Sequence, residues 1–138
     1  MAVYAATDHN ITVNGTAFSN VLQSVSLDLS QDEIETTGFG SVWRTRIAGL
    51  KSGSVTLNFF QDFAAGSVDA VLAPLFTGTS NYATVVVKPT SSATSATNPA
   101  WTAVCLVSQY QPFSSSVGDI ATLSVTWPTS GTVTRATA

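Results

Sequence analysis

Apolar and polar residues alternate along several stretches of the chain, which is the pattern of strands with one buried face. In residues 21–29 the odd positions hold valine and leucine with one glutamine, while Ser24, Ser26 and Asp28 hold even positions. Related patterns predict further strands at 11–13, 42–47, 54–59, 82–88, 101–110 and 120–127, with a short edge strand within 132–138. The pattern therefore predicts about seven strands, apart from the short edge strand.

One segment has the period of a helix instead. Apolar residues at positions 68, 71, 72, 75 and 76 form a single stripe along one face. Ser67 stands where it could cap the first turn, and Asp69 lies where the helix dipole favours an anion. Pro74 removes one backbone hydrogen bond, and Thr77 and Gly78 end the segment. We expect a short helix over about 67–76 that covers an open end or face of a sheet.

The segments between the predicted strands carry turn and loop signals. Residues 30–41 contain three acids, with two glycines flanking Phe39, and predict a loop too long for a simple hairpin. Residues 49–53 begin and end with glycine and predict a hairpin turn. Asn14-Gly15 is a typical hairpin turn pair. Residues 90–100, rich in Ser, Thr and Ala, predict an exposed loop.

These elements predict a mainly β protein, either an antiparallel β-sandwich or a partly closed barrel, with one short helix. We expect residues 1–10 to form an N-terminal arm and residues 11–138 to form a single β-sandwich domain. Such sheets have free edges, and few charges are present to guard them. An intermolecular strand partner or a covering neighbour is the expected remedy.

Charged residues make up only 9% of the 138 residues, whereas 18 serines and 20 threonines supply most of the polarity. Soluble domains usually carry about 25% charged residues. A surface so poor in charge is weakly protected against association. The net charge of −3, with five basic residues in all, argues against a protein that grips nucleic acid through phosphates.

The sequence also lacks the signals of membrane and secreted proteins. We expect no membrane-spanning helix, because no run of 18 apolar residues occurs. We expect no signal peptide either, because the first residues lack a basic segment followed by an apolar run. The single cysteine, Cys105, lies in an apolar run and predicts a buried thiol. These features indicate a protein made in a cytoplasm.

The sequence contains little that resembles a catalytic or metal-binding motif, so we expect no enzyme and no cofactor. His9 is the only histidine and lies in the predicted arm. The segment Gly49-Leu-Lys-Ser52 lacks the glycine that a phosphate loop places before its lysine. One Cys and one His cannot form a structural zinc site, and the acids lack calcium-loop spacing. Calcium held between subunits stays open as an alternative to solvated or interfacial carboxylates.

Two groups of residues stand out as candidates for contacts between subunits. Aromatic residues in alternating strands are more often core or interface anchors than platforms for sugars, and the candidates for such anchors are Phe39, Trp43, Trp101 and Trp127. Arg44 and Arg46 are either solvated charges or partners for acids of a neighbouring copy. The inter-subunit contact candidates are Asp32, Glu33, Glu35, Phe39, Trp43, Arg44 and Arg46.

Several of these segments together resemble the tail tube proteins, or major tail proteins, of long flexible-tailed bacteriophages. The resemblance lies in 21–29, Asp32-Glu-Ile-Glu-Thr-Thr-Gly-Phe-Gly40, Trp43-Arg44, 50–70 and 117–128. It extends over most of residues 11–135.

The resemblance implies a structural virion protein whose sandwich closes into hexameric rings that stack into a tube around a channel for DNA. It implies that the arm and the loop at 30–41 bridge one ring to the next, and that DNA passes without specific binding. The implied partners are other copies of the chain and the tape measure, terminator and distal tail proteins. The implied location is the virion tail, with no membrane partner.

Two other functions stay open from the sequence. A capsid decoration or head-tail joining protein would also be a small sandwich poor in charge. A carbohydrate-binding module would use Trp101 and Trp127 as stacking platforms.

Overall fold

A computed structural model describes residues 3–138, and Met1 and Ala2 of the predicted arm lie outside the described residues. The described residues form eight strands and one helix. In chain order these are β1 (Asn10–Val13), β2 (Thr16–Ala17), β3 (Leu22–Glu35), β4 (Arg46–Phe60), α1 (Val68–Thr77), β5 (Tyr82–Lys88), β6 (Ala100–Leu106), β7 (Thr122–Pro128) and β8 (Thr134–Ala136). Strands hold 46% of the residues and the helix 7%, which confirms a mainly β protein.

The strands form two antiparallel sheets. One has five strands in the order β2-β1-β5-β6-β8, and the other has three in the order β3-β4-β7. Neither sheet closes into a barrel within residues 3–138, so of the two predicted architectures the sandwich is the one formed.

The core lies between the two sheets and is built from the alternate residues that each strand turns inward. Its largest fully buried side chains from the strands are Ile11, Val13, Val55, Leu57, Phe59, Val85, Leu123, Val125 and Trp127. Cys105 is buried among them, as predicted, and burial raises the pKa of its thiol to about 11. The strands that the sequence predicts to have one buried face are thus the strands that face this core.

The helix is confirmed, one residue later than predicted. Val68 and Leu72 are fully buried in the core, whereas Phe76, the last member of the predicted stripe, is half exposed. Ser67 precedes the helix but makes no side-chain cap, because its hydroxyl donates to the Asp62 carboxylate at 2.8 Å.

A polar cluster anchors the first turn of the helix. The Tyr110 hydroxyl donates to Asp69 Oδ1 at 2.6 Å, and the Gln61 amide donates to the Pro112 carbonyl oxygen at 2.7 Å. Burial, together with Asp69, raises the pKa of Tyr110 to about 12. The helix is therefore tied by its carboxylate to the segment that follows β6.

Most strand positions agree with the sequence pattern, with shifts at the ends. Strand β5 has the predicted bounds, and β8 confirms the short edge strand in the tail. Strand β6 ends at Leu106 rather than at residue 110, because the chain there leaves the sheet, and the carbonyl of Gln109 accepts the indole N–H of Trp127.

Two predicted connections have their expected form. Asn14 and Gly15 take positive φ angles of 51° and 85°, as a two-residue hairpin turn of the mirror-image type requires. The loop at 90–100 is largely exposed, although the Asn98 side chain is buried. Its amide group donates to the carbonyl oxygens of Ser92 and Ala93, which folds the loop around it.

The predicted loop at 30–41 and the predicted turn at 49–53 are both wrong. Strand β3 continues through the acids to Glu35, and β4 runs back from Arg46 without interruption through both glycines. The turn lies instead at 36–45, so Trp43 and Arg44 are in the loop and the extended segment predicted at 42–47 begins only at Arg46. Backbone pairing of two long strands, rather than burial of one face, holds this region extended.

Candidate inter-subunit surface

All seven candidate residues lie in one β-hairpin, formed by the distal parts of β3 and β4. Strand β7 pairs with β4 only between Ser54 and Phe60, whereas β3 pairs with β4 along its whole length. Residues 29–35 and 46–52 therefore form a two-stranded ribbon, and we call it the ribbon. Within residues 3–138 neither of its outer backbone edges is paired, and unpaired edges are ready sites for pairing with another chain.

One side of the ribbon carries charges that are paired within the same chain. Arg46 Nε lies 3.3 Å from Glu33 Oε2, and Arg44 Nε lies 3.8 Å from Glu35 Oε1. All four side chains are about half exposed or more. Exposed pairs of this kind contribute about 0–1 kcal/mol each. Their main effect is to neutralise the charge of this side. Both arginines therefore have acidic partners within the chain and need none from another copy.

The opposite side of the ribbon is aliphatic, which the sequence analysis missed. Ile34 and Ile47 pair across the strands, and both are about half exposed. Leu50 is 81% exposed. Asp32 projects on this side as well, because side chains alternate along a strand and Glu33 faces the other way. The signal in the sequence was an isolated isoleucine between two glutamates, which alternation would have placed on its own face.

The tip loop presents two aromatic side chains to solvent. Phe39 is fully exposed and Trp43 is 84% exposed. The base of the loop is closed by the Thr36 N–H, which donates to the Thr45 carbonyl oxygen at 2.8 Å, and by a contact of 2.8 Å between their hydroxyls. A closed base holds both aromatics at the end of the ribbon, so the tip is a projecting apolar contact.

A β-bulge bends the ribbon at Asp32. The register moves from Gln31 opposite Lys51 to Glu33 opposite Ala48, so Asp32 faces both Gly49 and Leu50. A Cβ atom on Gly49 would lie 2.8 Å from the Cβ of Asp32 and 3.4 Å from Cδ1 of Ile34. Glycine is needed at this position because the two strands approach too closely for a side chain.

We predict that Gly49→Ala weakens pairing in the ribbon by about 1–3 kcal/mol, the usual cost of forcing one added methyl group into a packed site. Amide hydrogen exchange in residues 33–35 and 46–48 should accelerate accordingly. Gly38→Ala is the matched control, because a Cβ there meets no atom within 4 Å. Equal protection of the ribbon in both variants would contradict the assigned crowding.

The N-terminal segment is attached to the body of the protein at one point. The Asp8 carboxylate accepts the Ser91 N–H at 3.1 Å and the Ser91 hydroxyl at 2.9 Å. These two hydrogen bonds lower the pKa of Asp8. His9 contacts the Tyr4 hydroxyl at 3.0 Å, and Val3 and Tyr4 are largely exposed. Residues 3–9 contain no strand, and beyond the Asp8 contact they present apolar side chains to solvent.

No group of three or more His, Cys, Asp or Glu side chains converges to form a metal site within residues 3–138. No helix in this part of the chain is long and apolar enough to cross a membrane. Trp127 is fully buried and Trp101 is half buried, so Trp127 is not exposed as a platform for sugars.

Solved structures share this fold. A chain in the virion of a native gene transfer agent particle matches with a TM-score of 0.75 at 13% identity, over 97% of this chain and 99% of that one. A chain in the tail of an empty gene transfer agent particle, determined with C6 symmetry, matches with a TM-score of 0.65 at 14% identity, over 83% and 81%. A chain in the sixfold-symmetrised baseplate of an anti-feeding prophage matches with a TM-score of 0.53 at 13% identity, over 99% and 98%.

This chain has a fold found in virion, tail and baseplate particles. In the first and third comparisons the likeness spans nearly the whole of both chains, so it is not confined to one sheet. No protein-family model and no curated protein sequence matches the chain.

Proposed function

We propose that this chain is a structural tail protein, the subunit of a tail tube of the kind found in long flexible-tailed bacteriophages. Its copies form hexameric rings that stack around a channel for DNA. The observation that carries the proposal is the fold shared with a chain of a C6-symmetric gene transfer agent tail, over more than four fifths of both chains.

The free edges of the three-stranded sheet support ring formation. Strands β3 and β7 are the two outer strands of this sheet, and within residues 3–138 neither pairs with a further strand on its outer side. Pairing of β3 of one copy with β7 of the next is a head-to-tail contact, which closes into a ring when the rotation between copies is regular. Ring closure removes the exposed edges that few charges protect.

The hairpin supplies the contact with a neighbouring subunit in this proposal. Its candidates are Asp32, Glu33, Glu35, Phe39, Trp43, Arg44 and Arg46, together with the aliphatic side of the ribbon. The exposed Trp43 and Phe39 at the tip serve as anchors, since the few residues that carry most of the binding energy of an interface are enriched in large aromatics such as tryptophan. In this proposal the predicted arm contributes a second contact through residues 3–9, since Asn10 already belongs to β1, and the sandwich of residues 11–138 is a single domain.

We predict that replacing Asp32, Glu33 and Glu35 together with alanine leaves the subunit folded and weakens ring stacking. The unfolding free energy should fall by no more than about 1 kcal/mol, because the two ion pairs involved are exposed. Tube length in electron micrographs should shorten and lose its dependence on salt. Asp119→Ala, which removes an exposed acid from a different loop, is the control. Tubes of unchanged length at every salt concentration would contradict the role of these acids.

The proposal is tested by electron microscopy and light scattering of the purified protein over a range of concentrations. Rings of six copies and stacked tubes are the expected result. A monomer that persists at high concentration, also when mixed with tape measure, terminator and distal tail proteins, would overturn it.

A second candidate is a ring subunit of a baseplate, favoured by the likeness to the anti-feeding prophage baseplate chain. Such a subunit forms a ring but does not polymerise. Single rings that never stack, in the same micrographs, would favour this candidate over the tube subunit. In both cases the protein is located in the particle's tail.

A further inference from the structure

The outward face of the three-stranded sheet is almost free of charge. We call it the hydroxyl face; it runs from the body of the sheet to the base of the ribbon and consists of Ser24, Ser26, Asp28, Ser30, Ser52, Ser54, Thr56, Asn58, Ser124 and Thr126, with Phe60, Thr122 and Pro128 at its ends. The alternate residues of the same strands, among them Val55, Leu57 and Val125, point into the core. Asp28 is the one charged residue among these thirteen positions, and none of them is basic.

The outward face of the five-stranded sheet is different in kind. It consists of Asn10, Thr12, Tyr82, Thr84, Val86, Lys88, Thr102, Val104 and Leu106. Tyr82 is half exposed, Val104 and Leu106 are each 37% exposed, and Lys88 adds a positive charge. This face is partly apolar and carries the opposite charge, so the two outer surfaces of the sandwich are chemically distinct.

Polar groups on the hydroxyl face bind one another across the strands. The Asn58 amide donates to the Ser24 hydroxyl, Thr56 and Thr126 hydroxyls lie 3.3 Å apart, and Ser30 and Ser52 hydroxyls lie 3.0 Å apart. The Ser26 hydroxyl donates to the Asp28 carboxylate at 3.1 Å. Hydroxyls paired in this way have fewer donors left for phosphate oxygens. Because binding to duplex DNA depends mainly on cationic side chains at the phosphates, this face has little to hold DNA with.

We propose that the hydroxyl face lines the channel and lets duplex DNA pass without being held, while the outward face of the five-stranded sheet lies on the outside of the tube. This assignment rests on the proposed tube function. A smooth neutral wall with one carboxylate per subunit gives weak, uniform repulsion of a polyanion. The face ends within the ribbon, beyond Ser30 and Ser52, where the ribbon becomes aliphatic near Asp32. The lining therefore belongs to the body of the sheet and the base of the ribbon, and the rest of the ribbon is left for contacts between copies.

The test uses two single-cysteine probes at matched threonines, Thr56→Cys on the hydroxyl face and Thr84→Cys on the other face. Both positions point away from the core in the middle of a strand, and Ser54→Cys serves as a second probe should Thr56→Cys fold poorly. The native Cys105 is buried and does not interfere. Each variant is labelled, before and after assembly into long tubes, with a small maleimide and with a maleimide on a polymer too large to enter the channel.

In tubes, Thr56→Cys should lose its reaction with the polymer and keep its reaction with the small maleimide, whereas Thr84→Cys should react with both. Polymer labelling of Thr56→Cys along intact tubes would overturn the assignment and leave the tube function standing. Absence of tubes from the unmodified chain would overturn the tube function, and the assignment with it.

A charge variant tests the same face through its effect on DNA binding. Tubes of Thr56→Lys should retain short duplex DNA in a form protected from nuclease and released by salt, since the added cations face the phosphates inside the channel. Any DNA bound by tubes of Thr84→Lys should be digested. Nuclease-sensitive DNA on Thr56→Lys tubes would contradict the assignment.

Discussion

Trp127→Ala should cost the subunit about 3–5 kcal/mol of unfolding free energy, the range for truncating a large buried aromatic. Trp127 is fully buried in β7, and its indole N–H donates to the carbonyl oxygen of Gln109 at 2.9 Å. The substitution leaves a cavity between the sheets and removes the donor for that carbonyl. Since domains of this size are stable by only about 5–15 kcal/mol, much of the reserve is lost. Denaturant unfolding followed by circular dichroism, at a concentration too low for assembly, measures the loss.

Trp43→Ala is the matched control for this effect, because Trp43 is 84% exposed at the tip of the hairpin. A surface truncation changes stability by no more than about 0.5 kcal/mol, so its unfolding curve should match that of the unmodified chain. Its assembly into tubes should nevertheless weaken if the tip anchors a neighbouring subunit. Similar unfolding curves for Trp127→Ala and Trp43→Ala would show that the core has been assigned wrongly.

Strands that bury one face could be predicted from the sequence, because burial imposes the alternation that the sequence displays. Residues 82–88 have the predicted bounds, and the alternation at 54–59 matches the buried Val55, Leu57 and Phe59 of β4. The helix could be predicted for the same reason, since its stripe includes the buried Val68 and Leu72. In each case one face meets the core, and the spacing of the apolar residues shows whether a strand or a helix presents that face.

The ribbon could not be predicted in this way, because neither of its faces meets the core. Its charged side and its aliphatic side are both exposed, so Asp32, Glu33 and Glu35 gave a loop-like composition. Gly49 and Gly53 were read as a turn, although each stands in the middle of a strand at a close approach to β3. Strand pairing between residues far apart in sequence decides the conformation here, and a single sequence does not display it.

The seven candidate residues lie close together in space. All seven lie in the same hairpin, because they are close in sequence and the hairpin keeps them together. The pairing of Glu33 with Arg46 and of Glu35 with Arg44 could not be foreseen, since it depends on the register of β3 against β4. The structure thus places the two ion pairs on one side of the ribbon, and the isoleucines together with Asp32 on the other.

The second large effect is expected from Leu72→Ala, which should lower the unfolding free energy by about 2–5 kcal/mol. Leu72 is fully buried at the centre of the helix, where the two sheets and the helix meet in one core. Alanine preserves helix propensity, so the loss reports the cavity and not the helix itself.

Phe76→Ala, on the same helix, removes a larger side chain that is half exposed, and its cost should be clearly smaller than that of Leu72→Ala. Chemical denaturation of both variants gives the comparison, with the denaturant slope showing whether the folded state has remained compact. A larger loss for Phe76→Ala would mean that the helix turns its other side to the sheets.

The hydrogen bond from the Tyr110 hydroxyl to Asp69 fixes the orientation of the first helical turn. Tyr110→Phe tests this bond independently and should lower the unfolding free energy by about 1–3 kcal/mol.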